Sequence, residues 1–111
     1  MSGQDPGLVE LSVSDYSQLG SLADYLRLAV PGVQVTRSPG RPGPGEQGAL
    51  DVLMIVADSS VLAAAFQVLP EFLRSRRKGM SVTAKVKNKT LTVTGDNAEK
   101  VMQVVDRFLE D

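Results

Sequence analysis

Residues 38–48 read SPGRPGPGEQG, three prolines and four glycines in eleven positions. Proline removes a backbone donor and glycine adds conformational freedom, so neither helix nor strand survives that density. Every regular element must come from the two flanks, and each flank is too short to bury a core alone. The chain of 111 residues is therefore expected to be one domain over 1–111 that folds from both halves together. Residues 1–6 read as a flexible N-terminus and 38–48 as a mobile loop or internal linker.

The flanks carry clear periodicities. Val9, Leu11 and Val13 recur at every second position, which predicts a half-buried strand. Ser14 or Asp15 offers a helix N-cap, and Leu19, Leu22, Ala23, Leu26 and Ala29 follow as one apolar stripe until Pro31-Gly32. Val33–Arg37 reads as a second strand. Ala49–Ala57 is apolar throughout except for Asp51, and a run this short does not tell a buried strand from a buried helix. Asp58-Ser59-Ser60 is a turn with a fresh N-cap. Val61–Lys78 has helical spacing with Pro70 inside it, which predicts a kink, and Gly79 ends it. Ser81–Lys87 and Thr90–Thr94 form a hairpin turning at Asn88-Lys89. Asp96 and Glu99 have capping-box spacing ahead of a last amphipathic helix.

Composition narrows the chemistry. The chain has no histidine and no cysteine, so Ser-His-Asp and Cys-His nucleophilic centres cannot be built from it, nor can zinc sites ligated by those residues. Tryptophan is absent and only five aromatics are present, a poor basis for stacking nucleic-acid bases. Gly43, Gly45 and Gly48 have G-x-G-x-x-G spacing, but Pro44 lies between two of them and no strand-to-helix turn surrounds them. Ser59 and Ser60 have only lysine as a conceivable activating base. Asp51 reads either as a buried functional carboxylate or as an exposed residue at the start of a helix. No cofactor is expected and no enzyme activity. The polar N-terminus is not a signal peptide and no apolar run reaches membrane-spanning length, which predicts a cytoplasmic protein.

Charge is segregated along the chain. Between Glu71 and Lys89 lie Arg74, Arg76, Arg77, Lys78, Lys85, Lys87 and Lys89 with one acid, a segment of +6, while the rest carries −7 and the whole −1. These seven residues are the candidate partner-binding set, for an acidic protein surface first and for nucleic acid second. The competing explanation is local. Cations at the end of a helix favour its dipole, and strand lysines discourage edge-to-edge aggregation.

Several blocks together resemble a known family. They are the strand "LVELSV", the helix ending "LADYLRL", the Pro/Gly-rich loop leading into "GALDVLMIVADSSVLAAAFQVLPEFLRSRR", the hairpin "MSVTAKVKNKTLTVTGDNAEK" and a closing helix. In this order the chain is similar to the bacterial effector-associated constant components of the first type. Members of that family commonly carry a Gly-Ser-Gly-Gly-like turn and a Trp before the arginines. Here Ala57-Asp58-Ser59-Ser60 and Phe72 stand in those places. The resemblance implies an adaptor or regulator in an anti-invader conflict system, coupling a sensor such as an NTPase to an effector such as a caspase-like or trypsin-like peptidase. It supplies no catalytic residues.

The expected fold is α+β, an about four-stranded mostly antiparallel sheet packed against three or four helices on one face. Placing Ala49–Ala57 as a short helix gives that arrangement and is the preferred reading. Placing it as a strand gives a ferredoxin-like βαββαβ order with an added strand and helix. The open face of the hairpin offers pairing with a second copy.

Overall fold

The computed structural model describes residues 7–39, 51–76 and 79–109. The strand predicted from Val9, Leu11 and Val13 forms as β1, Gly7–Val13. Asp15 then caps a 3₁₀ turn, Tyr16–Gln18, by accepting the Ser17 N–H at 3.2 Å and the Ser17 hydroxyl at 2.6 Å. Helix α1, Leu19–Ala29, follows with Leu19, Leu22, Ala23 and Leu26 buried, the stripe its spacing predicted. Gly32 adopts φ +94°, a conformation costly for other residues, and turns the chain into β2, Gln34–Ser38. The N-terminus over 1–6 and residues 40–48 of the Pro/Gly segment lie outside the described residues.

Val52–Ala57 is a strand, β3, and not the short helix preferred from sequence. The physical reason is its position. β3 lies between β2 and β1 and pairs antiparallel with both. A strand in that place is apolar on both faces, so its alternation disappears. Leu53, Ile55 and Ala57 enter the core, while Met54 and Val56 remain half-buried on the other face.

Asp58 caps α2, Ser59–Arg74, by accepting the Val61 N–H at 3.0 Å. The helix stops four residues short of the predicted end and runs unbroken through Pro70. The hairpin forms as β4, Ser81–Val86, and β5, Lys89–Thr94. Its central residues are Lys87 and Asn88, one position earlier than expected, since Val86 pairs with Lys89. Helix α3, Ala98–Leu109, begins one residue too late for Asp96 to be its N-cap, so the predicted capping box does not form. Asn97 turns back instead. Its Nδ2 donates to Thr92 O at 2.9 Å and its Oδ1 accepts the Thr94 N–H at 2.8 Å.

The sheet has the order β2-β3-β1-β4-β5 and every neighbouring pair is antiparallel. β1–α1–β2 crosses over β3, and β3–α2–β4 crosses over β1. These interlocked crossovers are the ferredoxin-like arrangement, extended by β5 and α3. The fold is thus α+β, with a five-stranded sheet where about four strands were expected. α1 packs on β2 and β3, α2 on β3 and β5, and α3 on β5, while α2 touches both other helices. All three helices therefore form one layer. Between that layer and the sheet lie Val9, Leu11, Leu53, Ile55, Val82, Ala84 and Val93 with Leu22, Leu26, Phe66, Leu69, Phe72 and Phe108. Full burial of each large side chain contributes about 1.5–3 kcal/mol. Among the described residues no helix is long and apolar enough to cross a membrane.

Candidate partner-binding surface

The fold distributes the basic segment over three places. Arg74 ends α2, and its Nε–H donates to Gly95 O at 3.0 Å. Arg76 lies two residues on, its guanidinium 4.7 Å from the centre of the Phe72 ring. Both sit where β4 begins and β5 ends, because Ser81 pairs with Thr94 and Gly95 follows. Lys85 projects from the open sheet face, with Glu10 opposite it on β1 and Thr90 opposite it on β5. Lys87 and Lys89 belong to the far end of the hairpin. Lys87 takes φ +55° in the turn. The Lys89 Nζ donates to Arg107 O at 3.1 Å and lies 6.0 Å from the centre of the Phe108 ring. At about 3.4 Å per residue the length of β4 holds these two ends roughly 17 Å apart. Arg77 and Lys78 lie outside the described residues.

A groove runs between β5 and α3 at the edge of the sheet. Its volume is about 370 Å³, and it is lined by Lys89, Thr90, Leu91, Val104, Arg107 and Phe108. Each wall has a simple origin. Leu91 lies opposite Ala84 on the helix side of β5. Val104 and Phe108 are one helical turn apart on α3 and so share a face. Phe108 is buried, its ring edge-on to Phe66 at 5.7 Å, whereas Val104 stays 41% exposed. Arg107 was missed in the sequence because it lies in the acidic remainder of the chain. Its signal was position, three residues after Val104 and one before Phe108.

Asp51 and Ser60 hold structural contacts. Asp51 is neither buried nor at a helix start. It precedes β3 and accepts from the Arg37 Nε–H at 3.0 Å, while Arg37 Nη2 donates to the Tyr16 hydroxyl at 2.8 Å. Ser60 Oγ donates to Asp58 at 2.8 Å. The Val61 N–H and then Ser60 hold the Asp58 carboxyl below its ordinary pKa. These groups build an N-cap. Gly43, Gly45 and Gly48 lie outside the described residues. Among the described residues no group of three or more metal-ligating side chains converges.

The open face of the sheet carries Leu8, Glu10, Met54, Val56, Thr83, Lys85, Thr90 and Thr92, exposed or half-buried. All five aromatics belong to helical segments, Tyr16 in the 3₁₀ turn, Tyr25 in α1, Phe66 and Phe72 in α2, Phe108 in α3. The strands therefore offer no stacking platform for bases. Such a surface, with cations at separate places and apolar groups between them, suits a protein partner. A family model described as Effector Associated Constant Component 1 matches residues 12–109. No curated protein and no solved structure matches the chain.

Proposed function

The chain belongs to the Effector Associated Constant Component 1 family, and on that premise we propose that it is a non-catalytic adaptor coupling a sensor to an effector in a bacterial anti-invader system. The effector is a caspase-like or trypsin-like peptidase, the sensor an NTPase, and the setting the cytoplasm. Family membership over 12–109 carries this reading, since it makes the chain an effector-associated component of a conflict system. The sequence supports the non-catalytic part, because without histidine or cysteine it lacks the imidazole base and the thiolate of the commonest nucleophilic centres. The partner-binding side chains are drawn from Arg74, Arg76, Arg77, Lys78, Lys85, Lys87 and Lys89.

The test is co-expression with the products of the genes that flank this one, among which the reading expects a peptidase and an NTPase. One of them is expected to co-purify in fixed stoichiometry, unaffected by nuclease, and peptidase turnover should change when the chain is added. Turnover of a substrate by the purified chain alone, or failure of every neighbouring product to bind, overturns the reading.

A further inference from the structure

The following rests on the adaptor reading and gives its partner a chemistry. We propose that the groove between β5 and α3 captures an extended acidic segment of a partner protein. The segment adds along the β5 edge, seats one apolar side chain on Leu91, Val104 and Phe108, and sets its carboxylates against Lys89 and Arg107.

Val86 pairs with Lys89 across the turn, so Lys89, Leu91 and Val93 exchange hydrogen bonds with β4 and the threonines between them face outward. Asn97 fixes this phase independently, because it reaches the Thr92 C=O and the Thr94 N–H from outside the sheet. One amide side chain thus stands in for a neighbouring strand over the second half of β5. Among the described residues none gives Thr90, in the first half, such cover, and Thr90 borders the groove. An incoming strand gains main-chain bonds there, as in β-strand addition.

Of the six described lining residues three are apolar, two are cationic and none is acidic. Val104 is one of three large hydrophobic side chains exposed among the described residues, and it lies in this groove. An apolar side chain with acidic neighbours matches both features. Two cations are too few to follow a nucleic-acid backbone.

The ¹⁵N-labelled chain is titrated with an acetylated eight-residue peptide that carries one leucine, a glutamate two residues to either side of it and serines between, so that all three side chains share one face of the strand. Three controls accompany it: lysine for glutamate, alternate amides N-methylated, and a single-stranded oligonucleotide. Amide shifts are expected at Thr90, Leu91, Val104, Arg107 and Phe108, with slowed exchange of the Thr90 N–H. The paired Lys89→Glu and Arg107→Glu variant should weaken binding about tenfold or more, as should Val104→Asp at its half-exposed site. The N-methylated and lysine peptides should not bind. Shifts centred on Leu8, Met54 and Val56, equal binding by either control peptide, tighter binding of the oligonucleotide in the groove, or no shift at millimolar peptide overturns the proposal. An effector that co-purifies equally well with natively folded Lys89→Glu, Arg107→Glu and Val104→Asp variants removes the groove and leaves the adaptor standing. Peptide capture with no co-purifying effector does the reverse.

Discussion

Phe66 is fully buried on α2 and meets Phe108 edge-on at 5.7 Å, so it ties two helices to the sheet at once. Phe66→Ala should cost about 3–5 kcal/mol, a large part of the roughly 5–15 kcal/mol expected of a whole domain, and urea denaturation measures it. Asp58 acts differently. Its folded pKa is lowered, chiefly by the Val61 N–H and then by Ser60. Its contribution is therefore present above the unfolded pKa and lost as pH falls through the folded one. Asp58→Ala should melt below the native chain at neutral pH, with the gap closing as the pH falls below the ordinary carboxylate range. Melting curves across pH check this, and a gap independent of pH contradicts it. Both residues were legible in the sequence, Phe66 from helical spacing and Asp58 from its place before an apolar run. Asp51 was not, because its partner Arg37 lies fourteen residues away across the Pro/Gly segment and spacing carries no information about that contact.

The edges of the sheet show the same limit in whole elements. α1 and α2 follow from local pattern, yet β3 is decided by its two neighbours. A strand paired on both sides loses the alternation that would reveal it. Asn97 was read as part of a helix start, and its side chain instead closes half of the β5 edge. Arg27 does a similar service on β2, where Nη2 donates to Val35 O at 3.0 Å. Asn97→Ala should cost about 1–2 kcal/mol, since it strands the part-buried Thr94 N–H. It should also expose an edge that self-associates, and sedimentation velocity over a concentration series detects that. Pro70 makes the opposite prediction. Its ring denies the Phe66 carbonyl its usual donor, so Pro70→Ala should gain about 1 kcal/mol net of lost packing and raise Tm by roughly 4–8 °C.

Across the whole molecule, a basic run that is continuous in sequence is divided in space. The segment 71–89 carries +6, but it leaves α2 at one end of β4, crosses the open face at Lys85 beside Glu10, and turns at the other end. The basic run was legible as a charge pattern, while the separation of Arg74 and Arg76 from Lys87 and Lys89 depended on β4 running between them. The groove was illegible because its walls, β5 and α3, each look ordinary alone. Non-specific nucleic-acid binding needs many phosphates neutralised along one track, with affinity falling steeply as salt rises. Among the described residues the cations of this segment stand at opposite ends of β4, with Glu10 beside Lys85 between them, which is a poor track. Fluorescence anisotropy with a short single strand or duplex should therefore give a Kd weaker than about 10⁻⁴ M near physiological salt, where ordinary non-specific binders fall at about 10⁻⁴–10⁻⁶ M. Binding to a protein partner through Lys89 and Arg107 would instead lose only a modest factor between low and physiological salt, since each exposed pair is worth at most about 1 kcal/mol. Submicromolar affinity for nucleic acid with a steep salt slope would show that the cations act together after all, and would move the partner from protein to nucleic acid.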